Sequence, residues 1–116
     1  MRIKRDNLDT LFSKVVRQRD KVCQFNGCQN TNNLQCAHFR SRRKKATRWD
    51  EDNAIALCFG HHQYFHENPR EFEEFMRKRL GDRFELLEAR ARTLARYIDK
   101  EAIKLYLKKK LKVERS

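Results

Sequence analysis

Long apolar runs are absent from this chain. No stretch approaches the roughly 18 apolar residues that a membrane-spanning helix requires, and the opening residues MRIKRDNLDTLF hold no apolar signal-peptide core. The expectation is a soluble, intracellular protein with no membrane partner. Glycine and proline are scarce too, at 3 and 1 residues. No low-complexity linker or internal repeat divides the sequence, and residues 1–116 read as one domain. Apolar side chains are also few: 39% of 116 residues supply only a modest core, which a metal staple would help to hold together. Histidine occurs 4 times, and His38, His61, His62 and His66 all fall in the middle of the chain. The side chain that titrates near neutrality and readily binds metals is thus concentrated in one segment.

Charge of one sign is in excess. There are 28 Lys and Arg against 16 Asp and Glu, a net +12, and such a surface gains from displacing the counterions of a polyphosphate. Nucleic acid is the expected partner; an anionic membrane surface would be served by charge alone and has nothing else in its favour. The 4 cysteines would make two disulfides in a secreted chain, but there is no export signal and histidines stand among them, so metal ligation is the better reading.

Residues 8–19 carry Leu8, Leu11, Phe12, Val15 and Val16 at helical spacing and predict an N-terminal helix. Turn-forming residues follow around Cys23 and Cys28, with Gly27 supplying the backbone freedom of a tight metal knuckle. Residues 34–39 and 54–57 predict two short strands, the first placing Cys36 and His38 on one side. Between them runs a polar loop rich in Arg and Lys. A helix beginning near Gly60 would set His62 and His66 one turn apart on one face. Asn68, Pro69 and Glu71 have the pattern of a helix start, with Asn68 as cap and Glu71 reaching back to it, and Gly81 a stop. Asp82 would then cap a long helix with a stripe of Phe84, Leu87, Ala91, Leu94, Ile98, Ala102 and Leu105, ending in a basic tail that frays. The class is α+β, mostly helical: a core over 20–68 and a helical C-terminal extension over 69–112. That long helix could pair two copies in a homodimer or cover its own core.

Cys23 and Cys28 on one knuckle, with Cys58 and His61 at a strand-to-helix turn, form two ligand pairs that together would close a tetrahedral structural zinc site. Cys36 is a rival for the fourth position. His38, Asn53 and the His62, His66 pair suggest a second centre. One divalent ion on the two helix histidines would act as a Lewis acid, His38 would serve as base for water, and Asn53 would hold the strand and its imidazole in place. Arg40, Arg42, Arg43, Lys44, Lys45 and Arg48 border that centre and are candidate phosphate contacts. Trp49 could stack on a base, though a packing role suits it better.

The segments QCAHF, RWDEDNAIALC and HHQYFH resemble the HNH or ββα-metal endonucleases, with His38, Asn53 and His62 at the name-giving positions. More narrowly, AHFRSRRKKATRWDEDNAIALC and FEEFMRKRLGDRFELLEARAR are similar to the zinc-stapled phage recombination nucleases of the NinG type. The resemblance covers roughly residues 11–92. It implies a hairpin-plus-helix motif with an N-terminal helix and two C-terminal helices, hydrolysis of DNA phosphodiesters in duplex or branched substrates, and His38 as general base oriented by Asn53. It further implies a catalytic Mg²⁺, Mn²⁺ or Ni²⁺ on His62 and His66, action on phage recombination or packaging DNA, and a bacterial or phage-infected host cytoplasm as the setting. Ala37 stands where many members place a metal-binding Asp or His, which leaves the catalytic ion to His62 and His66. It also favours the rival reading, a non-catalytic zinc-stabilised DNA-binding module of the same fold.

Overall fold

The computed structural model describes residues 5–94 and 97–115. The chain ends at 1–4 and 116, and residues 95–96 within the expected long helix, lie outside the described residues. The protein is α+β and mostly helical, a two-stranded hairpin between two helical layers.

Helix α1 (Asn7–Asp20) begins with a capping box. The Asp6 carboxylate accepts from the Leu8 amide at 2.6 Å, and Asp9 accepts from the Asp6 amide at 2.8 Å. Strands β1 (Gln35–His38) and β2 (Ala54–Leu57) pair antiparallel, from Gln35 opposite Leu57 to His38 opposite Ala54. Because side chains alternate along a strand, the hairpin has two unlike faces. Ala37, Ile55 and Leu57 face a core completed by Phe65, Phe72, Met76, Leu80, Phe84 and Leu87. Cys36 and Ala54 face Leu8, Phe12, Val15 and Val16 of α1, with Leu107 beyond.

The first core is roofed by α2 (Phe59–Glu67), α3 (Pro69–Leu80) and α4 (Arg83–Arg92). Helix α3 starts at Pro69 and stops at Gly81, whose φ of +56° and amide bond to the Arg77 carbonyl end it. The expected cap chemistry differs. Asn68 makes no side-chain cap bond; its amide donates back to the Tyr64 carbonyl at 2.8 Å, and Glu71 accepts from the Tyr64 hydroxyl, so both side chains tie α3 to the preceding helix. Asp82, whose backbone is already helical, likewise makes no side-chain cap bond.

The expected long C-terminal helix is two helices, so three rather than two follow the histidine-bearing α2. Helix α4 ends with extended Thr93, and α5 spans Lys100–Arg115. The reason is geometric. Phe84 and Leu87 bury toward one face of the hairpin, whereas Ile98, Ile103, Leu107 and Leu111 pack with α1 on the other. A straight helix cannot reach both. Leu94 and Leu105, expected in the stripe, are 87% and 68% exposed, and Leu107, outside it, is fully buried. Helix α5 covers the molecule's own core, and the segment expected to fray is helical through Arg115. Among the described residues no helix is long and apolar enough to cross a membrane.

Candidate functional site

The chain leaves α1 into a knuckle. The Cys23 amide donates to the Asn30 carbonyl at 2.9 Å and the Cys28 amide to the Phe25 carbonyl at 3.0 Å, and Gly27 adopts φ +81°, which a residue with a Cβ resists. Cys58 follows β2 and stands at the N-cap of α2, so His61 falls in the first helical turn above it. Four ligand atoms, from Cys23, Cys28, Cys58 and His61, lie within 4.8 Å of one another. His61 Nδ1 is 3.5 Å from Cys23 Sγ and 3.3 Å from Cys58 Sγ. Tetrahedral zinc, with bonds of about 2.3 Å to sulfur and about 2.0 Å to nitrogen, puts neighbouring S and N ligands about 3.5 Å apart. The donor set therefore fits an ion such as zinc. Phe25 stacks on the His61 ring at 3.9 Å and 1° and fixes its plane. Burial raises the Cys23 thiol to about 11. For Cys58 burial acts the same way but is outweighed by the His61 and Gly60 amides and the neighbouring thiols, and its value is lowered.

Cys36, the rival ligand, is not in this cluster. It lies on the α1 face of the hairpin, where burial pushes its thiol up to about 12 despite Arg19 and Arg17 nearby.

His38, at the end of β1, also faces α1, its ring 5.4 Å from Phe12. Nε2 lies 2.8 Å from the Arg48 carbonyl. A carbonyl only accepts, so Nε2 carries the proton and the neutral ring presents a lone pair at Nδ1. Burial lowers the His38 pKa, with Arg42 adding to the effect, against the Arg48 carbonyl and Asp9. The ring is neutral at pH 7. Asn53, fully buried, locks the loop between the strands. Its Oδ1 accepts from the Arg40 amide at 2.7 Å, and its Nδ2 donates to the carbonyls of Arg40 and Thr47 at 3.0 Å each. The same loop carries the carbonyl that holds His38.

His62 sits on α2, across the hairpin from His38. Its Nδ1 donates to Gln35 Oε1 at 2.6 Å, which leaves a lone pair on Nε2, and burial together with neighbouring His66 lowers its pKa. His66 is exposed. Among the described residues the only group of three or more His, Cys, Asp or Glu placed to share an ion is the Cys23, Cys28, Cys58 and His61 set, so His62 and His66 have no third protein ligand there. Alternation along β1 separates Gln35 and its bound His62 from His38, and the two imidazoles lie on opposite sides of the hairpin.

The basic loop divides by use. Arg40 pairs with Glu88 and lies over the Phe39 ring at 4.4 Å. Arg48 forks onto Asp9 at 3.0 and 2.6 Å, and Arg42 approaches the same carboxylate at 3.6 Å. Trp49 is buried and donates from Nε1 to Asp9 at 3.0 Å, a packing role. Arg43, Lys44 and Lys45 are exposed on a run of turns from Ser41 to Asp50. Gln35 and Phe25, which orient His62 and His61, are site residues that the pattern of histidines and cysteines did not single out. The alternation of β1 puts Gln35 on the face opposite His38, and Phe25 lies inside the knuckle; both positions were signals.

A mostly helical α+β domain with a Cys₃His site is the class that fold and site define. Compared with known proteins, the chain matches no family model, no curated protein and no solved structure.

Proposed function

We propose that the protein is a metal-dependent DNA endonuclease of the HNH type, with a structural zinc on Cys23, Cys28, Cys58 and His61. The observation that carries this reading is the state of His38: a neutral imidazole whose Nε2 proton is committed to the Arg48 carbonyl and whose Nδ1 lone pair is left for a proton. It stands at the start of a basic loop that Asn53 clamps at both ends. Nδ1 takes a proton from water as that water attacks phosphorus, the work of a general base. Asn53 holds the loop, and with it the carbonyl that orients the ring. The exposed Arg43, Lys44 and Lys45 position the phosphate backbone without reading bases. The sequence resemblance also implies a divalent ion on His62 and His66 that would supply Lewis acidity toward the scissile phosphate, and it is this ion that the opposite placement of His62 and His38 on the hairpin puts to the test. Duplex or branched phage recombination or packaging DNA is the substrate class that the sequence resemblance suggests.

One observation favours a second reading, a zinc-stabilised DNA-binding module without catalysis: His38 and His62 occupy opposite faces of the hairpin, and the histidine pair on α2 lacks a third ligand among the described residues. Supercoiled plasmid incubated with Mg²⁺, Mn²⁺ or Ni²⁺ separates the two. The nuclease converts it to nicked or linear form and is stopped by excess EDTA added at the start; the binding module retards the plasmid and leaves it intact with every metal.

A further inference from the structure

Among the described residues, most arginines are spoken for. Arg19, Arg40, Arg42, Arg48, Arg77, Arg79, Arg83 and Arg90 all pair with carboxylates. On the outer side of α1 the situation is different. Lys14, Arg17 and Lys21 follow one another at spacings of three and four residues, a single stripe on the side of the helix away from Leu8, Phe12 and Val16. They line a groove of about 690 Å³ with Gln18, Thr31 and Asn33, closed by Leu34 and Leu111, and no carboxylate is among its lining residues within the described part of the chain. Among the described residues none of the three cations has an acidic partner. Among the described residues the side-chain bonds of Arg17 run from Nε to Ser13, at 3.2 Å to its carbonyl and 3.1 Å to its hydroxyl, which fixes the guanidinium and leaves its two terminal nitrogens for a ligand. Another groove, of about 560 Å³ beside α3, sets Glu71 and Glu74 against Lys78 and Arg79 and is balanced in charge.

We infer that the α1 groove is a second duplex-DNA contact, in which Lys14, Arg17 and Lys21 follow the phosphodiester backbone of one strand. The inference rests on the nuclease reading above and adds a surface to it. The dimensions agree: seven residues of helix rise about 10 Å, and one DNA strand advances about 3.4 Å per phosphate along its axis, so the stripe spans about three phosphates. Gln18, Thr31 and Asn33 add neutral donors that suit phosphate oxygens and carry no base information. A groove of this kind extends the footprint past the scissile phosphate and contributes affinity that is independent of sequence and sensitive to salt.

The test is the salt dependence of binding to a labelled duplex, read by fluorescence anisotropy in EDTA-free buffer without divalent metal. The full chain is compared with a Lys14→Gln, Arg17→Gln, Lys21→Gln variant. A charge-matched control, Arg70→Gln, Lys78→Gln, Arg92→Gln, changes exposed cations on α3 and α4. Zinc content and melting temperature establish that each variant is folded. The groove variant should lose roughly 0.9 from the slope of log K against log salt for each phosphate contact removed, about 2.7 in all, and roughly two orders of magnitude in affinity near 0.1 M salt. The control should lose little. Binding by the wild-type chain with an unchanged slope in the groove variant, or an equal loss in the control, overturns the groove alone. A wild-type chain with no salt-dependent affinity for duplex DNA overturns the nuclease reading and this inference with it.

Discussion

The two faces of the hairpin are held by different chemistry. Behind one face, β2 leads through Cys58 into α2, and Cys23, Cys28 and His61 close a site that a single ion can staple. Behind the other, α1 and α5 pack Phe12, Val16 and Leu107 against the strands. There the basic loop is tied down by Asp9, which receives Arg48, Trp49 and the Asp6 amide. One side thus offers four ligands that could hold an ion, and the other buried charge with apolar packing. The faces should fail under different insults.

Metal removal should do the greatest damage. Structural zinc contributes about 10–16 kcal/mol in small zinc peptides, against about 5–15 kcal/mol for the whole stability of a typical domain. Cys58→Ser should lose bound zinc and its cooperative melt together. Cys36→Ser, altered on the opposite face, should keep a full equivalent of zinc by elemental analysis; loss of zinc there would erase the distinction between the faces.

Removing one partner of a buried charge cluster comes next. Asp9→Asn removes the buried carboxylate that Arg48, Arg42 and Trp49 share and should cost about 3 kcal/mol in urea unfolding, with zinc content unchanged. Burial alone would raise the Asp9 pKa, but Arg48, the Asp6 amide and Trp49 bring it from 3.8 to about 2. A carboxylate depressed by folding contributes stability in full above its unfolded value, and that contribution is lost as pH falls from about 4 through about 2. It amounts to about 2 kcal/mol. Wild-type stability should fall across this window, and the Asp9→Asn variant should show a correspondingly smaller fall.

Packing on the same face gives a prediction of similar size with a built-in control. Leu107→Ala should cost about 2–5 kcal/mol by opening the α1–α5 contact, while Leu105→Ala, two positions away and exposed, should stay within about 0.5 kcal/mol. Equal effects would mean that α5 does not seat on α1 through Leu107. The smallest effect belongs to the loop. Neutralising Arg43, Lys44 and Lys45 should lower the salt slope of duplex binding by roughly 0.9 per lost contact and leave melting unaltered, because these side chains are exposed.

Legibility in the sequence followed the range of the interactions. The metal cluster could be read directly because each pair of ligands is local, Cys23 with Cys28 and Cys58 with His61, and the fold only has to bring two knuckles together. Helix α3 was legible between Pro69 and Gly81, and β2 in its full length. The break between α4 and α5 was not, since neither glycine nor proline marks it. Its signal was subtler: Asp99 accepts from the Ala102 amide at 3.0 Å as a helix cap, and the apolar positions of α5 are out of phase with those of α4. The pairing of Arg40 and Arg48 within the basic loop was also hidden, because Glu88 and Asp9 are long-range partners. The face on which each histidine lies depended on strand alternation joined to helix packing, which no local pattern contains.

The neutral base His38 is the central claim, and single-turnover cleavage of saturating duplex DNA, wild type beside His38→Ala over pH 5 to 8 with Mn²⁺, tests it most directly. General-base catalysis contributes about 10²–10⁴-fold. The account predicts a loss of that order in the variant at unchanged DNA affinity. Because burial lowers the His38 pKa below 6.5, it also predicts a wild-type rate that falls only as pH drops beneath that value. Cleavage by His38→Ala within a few-fold of wild type, or a wild-type rate with its half-maximum well above pH 6.5, would contradict it.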